Sequence, residues 1–508
     1  MHYPSLEQVK TMSRRGNLVP VYREVTADLE TPVTAYLKVA RGPYSFLLES
    51  VEGGERIARY SFIGAEPRQV IRTGVTPSAS TSDGFERVDL GPVDPLKPIE
   101  EALSAYRPVP VDGLPRFHGG AVGYLAYEAV RYFERLPQPA PDPLSLPESV
   151  FMITDTLVVF DHVKHTIKVV GNAYLDGNVE AAYADAVERI DRVVERLARP
   201  LEPALPGLPR EGPPGAVQSN MTQPEFEAMV ERVKRYIVAG DIIQAVVSQR
   251  LRRETAAHPF DIYRALRKVN PSPYMFYLDL EGFQLVGASP EMLVQVERGR
   301  ISTNPIAGTR PRGADEAQDL ALEEELRTDE KERAEHVMLV DLGRNDVGRV
   351  SKPGTVRVDQ FLDVQRFSHV MHLVSRVSGT LRDGMTSFDA LRACFPVGTV
   401  SGAPKIRAME IIAEMEPHQR GPYAGGVGYF DLSGNMDTCI ALRTMVVKDG
   451  TAYVQAGGGI VYDSVPDLEY QETLHKAAAL LRAIDEAEAM DQRVGPLQQR
   501  GEAVKPWS

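Results

Sequence analysis

Cysteine is nearly absent: the 508 residues hold two, Cys394 and Cys439. That is too few for a disulfide framework or a cysteine-rich metal site, and a reducing cytoplasmic setting is expected. Long apolar runs are also missing. No stretch approaches the ~20 apolar residues that cross a bilayer, and the opening MHYPSLEQVKTMSRRGN lacks the apolar centre of an export signal. A soluble, unexported protein with no membrane partner is the reading. Positive charge is in deficit, with 57 Lys plus Arg against 70 Asp plus Glu and a formal charge of −13. A large nucleic-acid surface is therefore disfavoured, and an anionic substrate would have to be held by a local cluster of cations or N–H groups.

Core-forming material is plentiful, at 43% hydrophobic residues, and the length predicts two or three domains at ~100–200 residues each. The run RPLEPALPGLPREGPPG, Arg199 to Gly215, has six prolines and no helical periodicity, the mark of a linker. The expected division is an N-terminal domain over 1–198, a linker over 199–221, a second domain over 222–487 and a polar tail over 488–508.

Short apolar or alternating runs at Tyr44–Val51, Arg59–Ile63 and Ser149–Phe160 read as strands, and Val179–Leu197 as an amphipathic helix. Thr222 and Glu225 form a capping box for a helix that Gly240 stops. Strands follow at Asp241–Arg250, Phe276–Asp279, Val370–Val377, Met436–Val447 and Ala452–Gln455, with a hairpin turn at Lys448-Asp449-Gly450. Helices are expected at about Asp315–Val340, Ser387–Cys394, Ala403–Met415 and Pro466–Ala487. Strict strand–helix alternation is missing, so the class is α+β with mostly antiparallel neighbours.

Glu332 with Glu335, and Glu469 with Glu472, are carboxylate pairs three residues apart, each sharing one helix face. Such pairs commonly decorate solvated faces. If these two faces met, four carboxylates would need a cation, most naturally Mg²⁺. Asp329 can cap the first of these helices, and the apolar run Val337–Val340 carries it into a core. Gly457-Gly458-Gly459, between a strand ending at Gln455 and another beginning at Ile460, offers backbone N–H groups to an anion, or forms a bulge. Arg443 in mid-strand needs an anionic partner, ligand or structural. His372, enclosed by apolar neighbours, is a core residue or a catalyst. The segments Asn304–Gly313 and Phe395–Lys405 look like rigid loops facing a small polyanion.

The motifs Gly287-Ala288-Ser289-Pro290-Glu291, PIAGTRPRG, Asp341-Leu342-Gly343-Arg344-Asn345-Asp346, FPVGTVSGAPK and Gln455-Ala456-Gly457-Gly458-Gly459-Ile460-Val461 follow one another across Thr222–Ala487. Together they closely resemble the chorismate-utilising enzymes, in their anthranilate synthase component I branch. Leu47-Leu48-Glu49-Ser50 and Arg59-Tyr60-Ser61-Phe62 extend the resemblance into the first half. It implies two orthogonally packed antiparallel β-sheets surrounded by helices. It also implies a Mg²⁺ cofactor on Glu335 and Glu472, with Glu332 and Glu469 supporting. Chorismate would lie among Gly308, Thr309, Tyr423, Arg443, Lys476 and the backbone of Gly457, Gly458 and Gly459. Glu291 takes the position of the general acid that helps the ring hydroxyl leave, His372 that of the histidine in pyruvate elimination, and Thr399 that of a nearby polar contact.

Two positions separate branches of the family. Relatives that add water carry a lysine where this chain has Gln244, and para-aminating relatives typically carry a nucleophilic lysine where it has Ala307. Ortho amination to anthranilate is therefore implied over hydration. The rivals are an aminodeoxychorismate synthase and a catalytically silent tryptophan-sensing subunit. Neither cysteine lies in a glycine-flanked elbow, so ammonia is expected from a separate glutamine amidotransferase subunit; the resemblance implies a heterotetramer of two large and two glutaminase subunits. The resemblance further places L-tryptophan, as inhibitor, at Glu49, Ser50, Pro273, Tyr274 and Met275.

Overall fold

The computed structural model describes residues 1–26, 29–50, 59–82, 85–201, 215–366 and 370–490. Most of the expected linker, Val51 and the tail from Asp491 lie outside them. The β-branched and aromatic runs on both sides of the linker assemble into two sheets of twelve strands each. In the first, Ser45–Glu49 from the N-terminal half pairs antiparallel with Tyr274–Asp279 from the C-terminal half. In the second, Gly120–Leu125 pairs antiparallel with Gly426–Asp431. Both sheets thus run through the expected domain boundary: the linker divides the chain in sequence, while the halves share their hydrogen-bonded layers. The α+β class holds, with one parallel pair, Gln69–Thr73 beside Phe85–Asp89, among the described strand pairings.

Side chains on these strands alternate between two cores, as the two-residue strand period requires. Phe46, Phe276, Leu278 and Val446 of the first sheet meet Val122, Tyr124, Met152 and Val427 of the second in one buried cluster. Their neighbours Leu47, Tyr277 and Met445 face the opposite way, onto Ile190, Tyr263, Leu480 and Ile484 of the covering helices. Helix ends follow the sequence signals. Thr222 and Glu225 make the capping box of Gln223–Val238, and Asp449 and Gly450 turn the hairpin with positive φ. Among the described residues no helix is long and apolar enough to cross a membrane.

Four expected elements differ. Ser149–Phe160 is two strands, Ser149–Thr154 in the second sheet and Thr156–Asp161 in the first, the chain changing layer at Asp155. Met436–Val447 changes layer too, between Met436–Ile440 and Thr444–Lys448. Arg443 sits in that break at φ 47°, not in mid-strand. The helix expected over Asp315–Val340 is two, Glu316–Thr328 and Glu330–Gly348, because Asp329 ends one and caps the next by accepting from the N–H groups of Lys331 and Glu332. The three glycines, finally, lie inside one continuous strand, Thr451–Ile460, in unbroken register with Gln244–Glu254.

Candidate active site

Gln284–Ser289 belongs to the first sheet and Met292–Glu297 to the second, so Pro290 and Glu291 form another crossing between layers. It lies beside the Arg443 crossing: Ala288 N donates to the Arg443 carbonyl at 3.1 Å, and Ile440 N to the Glu291 carbonyl at 3.1 Å. A seam where two chains leave one sheet for the other gives up regular pairing, and a cavity of about 810 Å³ opens there.

Glu291 lines that cavity but is only 7% exposed. Burial outweighs the hydrogen bond from Thr399 Oγ1 (3.1 Å) and pushes its carboxyl up to about 8. It is a proton donor at neutral pH, as an acid catalyst must be. His372 Nδ1 lies 2.8 Å from the Gly308 carbonyl and 3.1 Å from Thr309 Oγ1. A carbonyl only accepts, so Nδ1 carries the proton and Nε2 keeps its lone pair. Burial, with the charge of Arg443, lowers the imidazole's pKa and keeps it neutral, hence basic.

The facing wall is acidic. Glu332 and Glu335 of Glu330–Gly348, and Glu469 and Glu472 of Pro466–Met490, all line the same cavity. Burial raises the carboxyls of Glu332 and Glu469, each further raised by its partner carboxylate. Each acid has a local partner: Glu332 the Arg310 guanidinium (3.1 Å), Glu335 the Gln244 amide (3.1 Å), Glu472 the Lys476 ammonium (2.7 Å) and Glu469 the Ser464 side chain. The donor set, hard oxygens on two facing helices, suits Mg²⁺. Among the described residues, however, no three of His, Cys, Asp or Glu stand close enough together to hold a metal ion. A cation here would complete its shell with water or ligand oxygens, as Mg²⁺ commonly does.

Residues 46–482 match the chorismate binding enzyme family. The chain belongs to that family. Anthranilate synthase component 1 of Acetivibrio thermocellus is 49% identical over 493 residues, covering 96% of this chain and 99% of that protein. The Pseudomonas aeruginosa protein of the same name is 50% identical over 477 residues, covering 93% and 96%. The crystal structure of anthranilate synthase component I from Streptococcus pneumoniae superposes with a TM-score of 0.72 at 38% identity, covering 90% of this chain and 99% of that one.

In this chorismate-binding enzyme, Gln244, Glu291, Gly308, Thr309, His372, Thr399, Tyr423, Arg443, Gly457, Gly459 and Lys476 share the one cavity with the four glutamates. Gly458 is not among its lining residues. A Cβ there would fall 2.9 Å from Glu469 Oε2, so its bareness admits the acidic helix. Beyond Val454 the hairpin partner strand no longer pairs, and Lys476 Nζ donates to the Gly457 carbonyl at 2.9 Å.

The expected anion-facing loop at Asn304–Gly313 is instead a bulged strand, Ile306–Pro311, against Val370–Thr380. Its arginines turn to protein acids, Arg310 to Glu325, Asp329 and Glu332 and Arg312 to Asp319, since adjacent acidic helices outcompete an open cavity for them. The second loop, at Phe395–Lys405, is the helical turn Gly398–Val400, the short strand Gly402–Ala403 and the start of a helix. Its Lys405 is paired with Asp346 at 2.6 Å.

The residues that the resemblance assigns to an inhibitor fall in two places. Glu49 and Met275 are partners across adjacent strands. Glu49 accepts from Tyr263 Oη at 2.5 Å and Arg267 Nη2 at 3.1 Å, and Tyr274 Oη donates to Asp437 at 3.2 Å. Pro273, one residue before that strand, lines the large cavity. Asn270 and Lys331 also line the cavity and were missed. Asn270 Oδ1 accepts from Arg443 at 3.3 Å, a contact between distant segments that no local pattern announces. Lys331 stands beside Glu332, which was a readable hint.

Proposed function

We propose that the chain is the ammonia-using large subunit of an anthranilate synthase, converting chorismate and ammonia to anthranilate, pyruvate and water. The relatives' names suggest it. The observation that carries it is that Gln244 and Ala307 both line the cavity, where lysines would favour the family's other reactions. An amide orients ammonia without activating water, and alanine forms no covalent link to the ring.

The chemistry then divides among residues of this chain. Gln244, steadied by Glu335, orients ammonia toward the ring carbon. Hydroxide is a poor leaving group, so Glu291 delivers its proton to the departing ring oxygen, which leaves as water. His372 Nε2 next removes the ring proton and the ring C–O bond to the enolpyruvyl group breaks, so that the ring becomes aromatic and enolpyruvate departs; it becomes pyruvate by taking one proton at its methylene carbon, in balance with the proton that His372 has gained and passes on. Arg443, Lys476 and the backbone of Gly457 and Gly459 hold the dianion. A Mg²⁺ held by Glu335 and Glu472, with Glu332 and Glu469 behind them, would supply the charge that fixes the ring carboxylate.

The same reading takes the chain as cytoplasmic, paired with a glutamine amidotransferase in a heterotetramer, and inhibited by L-tryptophan near Glu49, Ser50, Pro273, Tyr274 and Met275. The test is the purified chain with chorismate, an ammonium salt and Mg²⁺, its products separated by chromatography. Fluorescent anthranilate should appear without added protein. A para-aminated or hydroxylated product, or none, sinks the reading.

A further inference from the structure

Arg420, seated over the Tyr423 ring, joins two walls of the cavity. Arg420 is 2% exposed, and a guanidinium is buried at heavy desolvation cost unless its donors are used. Here they are. Nε and Nη2 donate to the two oxygens of Glu416 at 2.8 and 2.7 Å, Nη1 donates to the Val400 carbonyl at 2.8 Å, and Nη2 also donates to the Val246 carbonyl at 2.6 Å. The group lies over the rings of Tyr127 and Tyr423, 4.6 and 5.6 Å from their centroids. Glu416 Oε1 in turn accepts from the N–H and hydroxyl of Ser248, and that hydroxyl accepts from Gln455 on the cavity wall.

The two carbonyls have significant neighbours. Val400 follows Thr399, whose hydroxyl donates to Glu291. Val246 lies two residues beyond Gln244, whose amide donates to Glu335. Their segments also pair antiparallel, Gln244 with Ala403 and Ala245 with Gly402, and Val246 N donates to the Ser401 carbonyl at 3.0 Å; the guanidinium adds a tie that reaches the Val400 and Val246 carbonyls and the Tyr423 ring at once.

We propose that Arg420 is a positioning residue: by clamping the Val400 and Val246 carbonyls to one rigid fork, it fixes the Thr399–Glu291 pair relative to Gln244. The claim deepens the function proposed above and rests on it. A lysine keeps the charge but places its donors on a single nitrogen, so it cannot hold Glu416 and both carbonyls in this geometry.

The test is a double-mutant cycle between Arg420→Lys and Thr399→Val. It is read in ammonia-dependent turnover and in the titration of the Glu291 carboxyl, followed by difference infrared spectroscopy against Glu291→Gln. R420K should lower kcat about tenfold or more, with a much smaller change in chorismate KM, because misplacement of reacting groups acts on the chemical step. It should raise the Glu291 midpoint in the same sense as T399V, which removes a hydrogen bond to the charged form. The double variant should be little worse than T399V alone, since coupled residues are non-additive. A merely structural arginine would give additive losses and an unmoved midpoint, and either result overturns the proposal. Should R420K fail to fold, Glu416→Asp withdraws the carboxylate that aims the fork more gently, and its cycle with T399V must show the same coupling. A wild type that makes no anthranilate yet shows coupled Glu291 titrations sinks the proposed reaction and leaves the clamp. Additive cycles in an anthranilate-forming enzyme sink the clamp alone.

Discussion

The amide of Gln244 donates to the carboxylate of Glu335 across 3.1 Å, joining a strand of the first sheet to the acidic helix. Gly459 makes room for it: a Cβ there would lie 2.5 Å from Gln244 Nε2, the mobile end of a side chain. Gly459→Ala should therefore displace the amide at a stability cost of about 1 kcal/mol or less, while kcat with ammonia falls about tenfold. Gly457→Ala is the contrast. Its Cβ would lie 2.5 Å from the Val247 carbonyl, which is backbone and cannot swing away, so about 1–3 kcal/mol should be lost. Thermal unfolding beside initial rates separates the two, and equal stability losses would contradict this account.

Neither cysteine is placed to attack glutamine as a nucleophile. Cys394 and Cys439 are 0% and 2% exposed, and burial pushes both thiols well above their ordinary range. The native chain should resist a thiol-specific disulfide reagent and release both thiols only on unfolding. Ammonium-driven turnover should survive the treatment, and glutamine should support none without a second protein. Rapid labelling of the native chain would refute the burial claim.

Local signals were legible where local groups make the structure. The Thr222–Glu225 capping box and the Asp449-Gly450 turn need no distant partner. The glutamate pairs could be read as faces, but not as facing one another. The layer changes were hidden because apolar residues run through Met436–Val447 without glycine or proline, and the break is a positive φ at Arg443 imposed by its surroundings. Asp329 could be read as a cap, but not as the end of the preceding helix, because one residue serves both helices. Arg420 was invisible for a related reason: Glu416, four residues back, and the Tyr423 ring, three ahead, are local partners, but Val400 and Val246 come from remote segments.

Glu49 offers a test of inhibition that leaves the chemistry alone. Its carboxylate is held by Tyr263 and Arg267, and Glu49 is not among the residues lining the large cavity. Glu49→Gln keeps the shape but removes the charge that would meet an ammonium group. Turnover with ammonia should stay within about threefold of wild type, while tryptophan inhibition weakens by about tenfold or more, one lost charged contact. Undiminished inhibition in dose–response curves would remove Glu49 from the effector site.

Metal dependence should show itself through ligand linkage. With no preformed cluster of three ligands among the described residues, Mg²⁺ alone should raise the melting temperature little. Chorismate adds carboxylate oxygens and should strengthen the Mg²⁺-dependent shift, because each ligand raises the other's occupancy. EDTA should abolish turnover and Mg²⁺ restore it, and Glu335→Gln or Glu472→Gln should weaken the combined shift. Full activity in EDTA, or a Mg²⁺ shift indifferent to chorismate, would rule the site out.

The burial of Glu291 ties activity and stability to pH together. Its carboxyl is raised from 4.5 to about 8, so the folded protein holds a proton that the unfolded chain releases. Stability from this group is therefore complete below pH 4.5 and lost as pH climbs through about 8. Glu291→Gln has no proton to lose. Its stability relative to wild type should grow across that interval and level off above it, by on the order of 4 kcal/mol in total. Activity should move the opposite way: the glutamine cannot protonate the departing hydroxyl, and turnover should drop about 10²-fold or more. Wild-type kcat/KM should fall on the alkaline side as Glu291 ionises near 8, and on the acid side as His372, its pKa lowered by burial, takes a proton below its ordinary range. Melting temperatures and rate profiles from pH 5 to 9 measure both halves. A stability gap that does not widen with pH would mean that Glu291 is already charged at neutrality and cannot be the acid.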